Sequence, residues 1–112
     1  MLSRAEFDLL KQCILNNPRN TLYVSGEETN IYNVNDPEKM QKEFLSKLSL
    51  IETSPNCLTA DDYTNLRLYV TDEFLSPAGW DSKKSCPTEY GLTVDKLLNK
   101  LSHLADRAEK TI

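Results

Sequence analysis

Two adjacent pairs of carboxylates, Asp61-Asp62 and Asp72-Glu73, are the side chains best placed to do chemistry. Paired acids can act as general acid and base, or can hold a divalent cation. Neighbours on a helix point about 100° apart, however, so neither pair converges on one substrate atom, and a helix cap with a solvated face accounts for all four. Nucleophilic catalysis needs a base beside its nucleophile, and the one imidazole, His103, falls in an apolar-rich stretch where a helical, partly exposed histidine is expected. Cys13, Cys57 and Cys86 are far apart and include no Cys-x-x-Cys pair, so no zinc site follows; three reduced thiols are expected, with Cys13 at a buried helical position. The chain has no Gly-x-Ser-x-Gly, no Gly-rich phosphate loop and no His-Glu-x-x-His, and its three glycines leave little backbone for cradling a nucleotide. A protein that is not an enzyme, with no metal and no cofactor, is the expectation. A small hydrolase using a carboxylate pair is the weaker alternative.

The remaining candidates are surface features. Trp80 stands beside Asp81 in a polar stretch, where tryptophan is either a plug that pins a loop to the core or an exposed anchor for a partner. Residues 25–81 hold eleven acidic side chains against four basic ones, which is more than the whole chain's net charge of -4. Within that acidic middle, Glu27, Glu28, Asp61, Asp62, Asp72, Glu73 and Asp81 interleave with Tyr32, Tyr63 and Tyr69. Direct nucleic-acid binding needs the opposite, clustered Lys and Arg that neutralise phosphates. A protein partner with a basic surface is therefore expected, contacted through Trp80, Asp81, Asp72, Glu73, Asp61, Asp62 and Tyr69.

The elements that must position these residues are mostly helical. From Thr93 onward, Val94, Leu97, Leu98, Leu101, Leu104, Ala105, Ala108 and Ile112 recur at steps of three and four, giving an amphipathic helix over about 94–110 with Thr93 as its N-cap. Ser3 and Glu6 form a capping box for a first helix over 4–16, striped by Phe7, Leu10, Cys13 and Ile14 with Leu9 and Leu15 on its flanks. Asp36-Pro37-Glu38 opens a second helix over 37–52, whose seam is Met40, Phe44, Leu48 and Ile51 and which Thr53-Ser54-Pro55-Asn56 closes. Thr59 with Asp62 caps a third over 60–75 carrying Tyr63, Leu66, Val70 and Phe74. Its rival is a strand over 63–71, because Leu66, Leu68 and Val70 also alternate. β-branched and aromatic residues at 21–24 and 29–34 predict a hairpin with Leu22, Val24 and Ile31 on the helices and the tyrosines opposite or at the margin. Residues 76–92 have no period and read as a long loop, a kind of segment that is often functional.

The expected architecture is mainly α with a small β-hairpin, about four helices packed around one core in a single compact domain spanning 1–112. No apolar run is long enough to cross a membrane, and the opening residues carry charge where a secretory signal would be apolar, so a cytoplasmic protein is expected. The run Asp72-Glu73-Phe74, the polar stretch after it and the helix from Leu92 loosely resemble the layout of small bacterial immunity proteins of nuclease toxins. That resemblance, with small size and acidity, implies a stoichiometric inhibitor of the immunity-protein or anti-defence type. Its carboxylates would occupy the basic surface of a nuclease or nucleic-acid-handling enzyme, as phosphates do. The alternative of another class is a scaffold or chaperone-like subunit of a constitutive oligomer, which would carry surplus apolar surface.

Overall fold

The computed structural model describes residues 2–25, 31–54 and 57–110, with backbone alone for residues 109 and 110. Among them are four helices, α1 (Arg4–Asn16), α2 (Pro37–Thr53), α3 (Ala60–Leu75) and α4 (Glu89–Lys110). Two short antiparallel pairs accompany them, β1 (Thr21–Tyr23) with β2 (Ile31–Asn33) and β3 (Trp80–Asp81) with β4 (Cys86–Pro87). The mainly α architecture is the one the apolar spacing predicts. No helix is long and apolar enough to cross a membrane among the described residues.

Local chemistry sets the first three helix starts. At α1 the capping box closes in both directions, Glu6 N–H donating to Ser3 Oγ at 3.2 Å and Ser3 N–H to Glu6 Oε1 at 2.9 Å. The same carboxylate receives Lys100 Nζ at 2.7 Å, which ties α1 to α4. Asp36 caps α2 by accepting from Lys39 N–H at 3.1 Å. The predicted seam of Met40, Phe44, Leu48 and Ile51 is buried throughout. Pro55 and Asn56 lie outside the described residues, as do Glu27, Glu28 and Ile112. The Thr59–Asp62 box is also reciprocal, at 3.1 and 3.0 Å, and residues 63–71 are helix rather than strand.

α3 is the central element. It packs along α4 and also meets α1 and β1, so more of its circumference is covered than one stripe requires. Tyr63, Leu66, Tyr69 and Val70 join Leu10, Cys13 and Ile14 of α1, the α2 seam, and Val94, Leu97, Leu101 and Ala105 of α4 in a single core. Desolvation there pushes the Cys13 thiol up to about 12, whereas Cys57 and Cys86 are exposed, and all three are unpaired.

Two expectations about local structure are corrected. The register of the first hairpin pairs Leu22 with Tyr32 and Tyr23 with Ile31. Directly opposed residues share a face, so Leu22 and Ile31 cannot both face the helices, and Ile31 is instead 60% exposed. The second correction moves the start of α4 from Thr93 back to Glu89. Thr88 is the capping residue, its Oγ1 accepting from Gly91 N–H at 3.0 Å, while the Thr93 hydroxyl donates within the helix to the Glu89 carbonyl at 3.3 Å. Gly91, which reads as a helix breaker, is required at its position: a Cβ there would lie 1.9 Å from the Gly79 carbonyl oxygen. The two backbones meet at the base of the β3–β4 hairpin, where a side chain has no room.

Candidate functional site

Five of the seven expected contact residues lie on α3, and the structure commits each of them to an internal interaction. Asp61 accepts from Ser25 N–H at 3.0 Å and from Ser25 Oγ at 3.1 Å, anchoring the chain just after β1. Asp62 caps its own helix and receives Lys47 Nζ at 2.7 Å from α2. Asp72 pairs with Arg19, whose guanidinium also donates to Thr21 Oγ1 at 3.0 Å. Glu73 is buried, and no cation pairs with it among the described residues: Asn17 Nδ2 donates to it at 2.7 Å and Asn16 Nδ2 at 3.3 Å. Burial and this carboxylate together hold the Tyr90 phenol up at about 12.

Tyr69 and Glu73 are therefore corrected from surface to interior. The Tyr69 ring meets Phe44 edge-on, with centroids 5.7 Å apart, and burial raises its phenol to about 12. Tyr63 is buried as well, so the alternation of acids and tyrosines read along α3 forms no aromatic-acidic surface. The physical reason is the helix's central position, which turns its acids into caps, ion pairs and a buried hydrogen-bond acceptor. Nor do the two carboxylate pairs share a site. Eleven residues of helix separate Asp61 from Asp72, about 16 Å along the axis at 1.5 Å per residue. Among the described residues no group of three or more His, Cys, Asp or Glu could hold a metal ion. His103 is exposed on α4, beside a hollow of about 200 Å³ that Leu2, Lys100 and Arg107 also line.

Trp80 and Asp81, the other two candidates, lie together at the end of the molecule where α3 turns back into α4. The segment expected as an aperiodic loop is a braced hairpin. Ser76 receives Gly79 N–H at 3.0 Å and Trp80 N–H at 2.9 Å on its carbonyl; Thr88 N–H donates to the Gly79 carbonyl at 3.0 Å, and Thr88 Oγ1 to the Ala78 carbonyl at 2.6 Å. Asp81 Oδ1 accepts from Lys83 N–H at 3.0 Å and Lys84 N–H at 3.2 Å, closing the turn, and Ser85 takes a positive φ of 51° to complete it. Trp80 is half-buried. One side of its indole meets Phe74 edge-on at 5.9 Å, and the other lines a hollow of about 340 Å³ with Leu75, Pro77, Asp81, Lys83 and Thr88. The two readings of this tryptophan, plug and anchor, are thus both partly met by one side chain. Leu75 beside it is 65% exposed at the last position of α3, a feature the spacing does not announce.

Sequence reasoning also missed the Gly79–Gly91 contact, although two of the chain's three glycines flank this segment, and the Thr88 cap, although threonine three residues before a helical position is a capping signal. Comparison with protein-family models, curated proteins and solved structures gives no match for this chain.

Proposed function

We propose that this chain is a protein-binding module that engages its partner through the β3–β4 tip, with Trp80 and Leu75 as apolar anchors and Asp81 as the adjacent charge. In its most specific form the proposal is a small acidic stoichiometric inhibitor, acting in the cytoplasm on a basic surface of a nuclease or nucleic-acid-handling enzyme. The observation that carries it is the half-buried indole held beside a 65%-exposed leucine on a hairpin whose turns are hydrogen-bonded throughout. A contact surface ordered in advance loses little side-chain and loop entropy on binding, which is where much of the intrinsic affinity of an interface is otherwise spent. Aromatic residues set in a pocket with a polar rim are also the usual centres of interface energy. The basic partner is supported by the net charge of -4 and by Asp81 at the tip, rather than by the acids of α3. The test is capture from the native host with the wild type and with Leu75→Ser as bait. A partner that the wild type retains, that Leu75→Ser loses, and whose binding weakens as salt passes about 0.15 M (Debye length about 8 Å) supports the reading. Equal retention of the same partner by both baits refutes it.

A second reading, the scaffold or chaperone-like subunit of an oligomer, is favoured by one specific observation. Leu15, Ile31, Tyr32, Leu75 and Leu92 are all exposed by 41% or more. The molar mass of the purified chain at about 1 μM, well below the concentration at which a small interface associates, decides between a chain that is monomeric when dilute and a constitutive subunit.

A further inference from the structure

The backbone pairing of the β1–β2 hairpin leaves one edge partly covered and the other open. Val34 N–H donates to the Asn20 carbonyl at 2.7 Å, so Asn20 and Val34 are a hydrogen-bonded pair. Such pairs alternate along an antiparallel ladder. With the observed register, Leu22 and Tyr32 are then the next hydrogen-bonded pair, and the main-chain groups of Thr21, Tyr23, Ile31 and Asn33 point away from the ladder. On the β1 side the outward groups of Tyr23 are answered by a side chain. The buried amide of Asn65 on α3 accepts from Tyr23 N–H at 2.8 Å and donates to the Tyr23 carbonyl at 2.9 Å, doing for β1 what a neighbouring strand would do. On the β2 side, no described residue meets the outward N–H and C=O groups of Ile31 and Asn33. All three β2 residues are exposed, Ile31 by 60% and Tyr32 by 41%.

Open edges are normally guarded by charge or proline, because a row of free donors and acceptors is a template for another chain. Here Thr29-Asn30-Ile31-Tyr32-Asn33-Val34-Asn35 contains no charge, no proline and no glycine. We propose that β2 pairs antiparallel with β2 of a second copy of this chain, forming a weak symmetric dimer through a continuous four-stranded sheet. The register supports self-pairing in particular. A twofold axis through Tyr32 sets Ile31 opposite Asn33 of the other copy, twice, and these are the two residues whose main-chain groups are free. All four outward hydrogen bonds then close at once, and no like charges meet. So short an edge makes a small interface, and small interfaces are weak, with dissociation in the region of about 10⁻⁴ M. The proposal is independent of the hairpin-tip reading, because β2 and Trp80 are separate surfaces.

The test begins with sedimentation equilibrium of the full chain up to about 1 mM, where a reversible dimer is expected at the affinity of a small interface. Asn33→Pro removes an outward N–H without removing a ladder bond, and should weaken the dimer ten-fold or more while circular dichroism stays unchanged. Because that variant can also disturb the hairpin, the decisive arm is covalent. Across the proposed axis Tyr32 is a non-hydrogen-bonded pair, with Cα atoms about 4.5 Å apart, within disulfide reach. In a Cys57→Ser, Cys86→Ser background, Tyr32→Cys should form a disulfide dimer under mild oxidation far faster than Ser46→Cys on α2. Equal cross-linking rates, or a chain that stays monomeric at about 1 mM, overturn the proposal. So does a monomer whose Ile31 and Asn33 amides become protected only on adding another protein, since a different chain then covers the edge.

Discussion

Replacing Trp80 by alanine separates anchor from plug quantitatively, because the indole is shared between core and solvent. A fully buried large aromatic costs about 3 to 5 kcal/mol on truncation. Trp80 is only half-buried, and its one aromatic contact, edge-on to Phe74 at 5.9 Å, contributes about 0.5 to 1.5 kcal/mol beyond burial. The folding cost should therefore be about 2 kcal/mol, which for a chain of this size lowers the melting temperature by about 8 °C. The affinity cost should be as large or larger, about 2 kcal/mol or more, roughly a thirty-fold rise in Kd. Thermal unfolding followed by circular dichroism gives the first number, and titration calorimetry with the captured partner, well below the melting temperature, gives the second. Leu75→Ser isolates the binding contribution, since a 65%-exposed leucine at a helix end should cost under about 0.5 kcal/mol of stability and still weaken the complex. Asp81→Asn is the appropriate charge test. Asp81 Oδ1 holds two turn amides, which asparagine can still accept, whereas lysine would break the turn as well as reverse the charge. A Trp80→Ala protein that loses about 4 kcal/mol of stability yet binds with wild-type affinity would refute the anchor reasoning and leave a plug.

Other perturbations test the frame that presents the tip. Gly91→Ala places a methyl group 1.9 Å from the Gly79 carbonyl oxygen, with main chain on both sides, so denaturant unfolding should show a loss of about 3 kcal/mol or more; a loss below about 1 would mean the two backbones do not meet. Leu101→Ala empties a fully buried core position and should cost about 2 to 5 kcal/mol, against under about 0.5 were that side chain exposed. The Lys100 ammonium and the Ser3 amide hold the Glu6 carboxyl down at about 2 from its ordinary 4.5. A depressed folded-state value means that the stabilisation is complete above about pH 4.5 and is lost as pH falls toward 2; with Lys100 half exposed, about 1 kcal/mol is at stake. Lys100→Gln should flatten the acid limb of a stability–pH curve measured between those values.

Where one residue's chemistry decides the outcome, the sequence is legible. Ser3 with Glu6 and Thr59 with Asp62 locate two helix starts, and the spacing of Met40, Phe44, Leu48 and Ile51 identifies a buried seam, because caps and stripes are local facts. What depends on how many neighbours an element has is not legible. Tyr69 and Glu73 sit on the polar-looking side of α3 and are interior only because α1, α4 and β1 surround that helix. The start of α4 was hidden for a related reason: Gly91 and Thr93 are poor helix residues taken singly, and the contact that calls for a glycine comes from Gly79, twelve positions earlier. At the candidate site, Trp80 and Asp81 were found from their types, but Leu75 was not, since nothing in a helical spacing says that its last leucine stays in water.

Amide hydrogen exchange of the chain alone and in complex with its captured partner reads out whether the β3–β4 tip is the contact surface. Slowed exchange on binding should be concentrated between Leu75 and Thr88, with the amides of Asp61, Asp62 and Asp72 unchanged. Protection centred on α2 or on the first hairpin, with the segment from Leu75 to Thr88 exchanging as in the free chain, would contradict it.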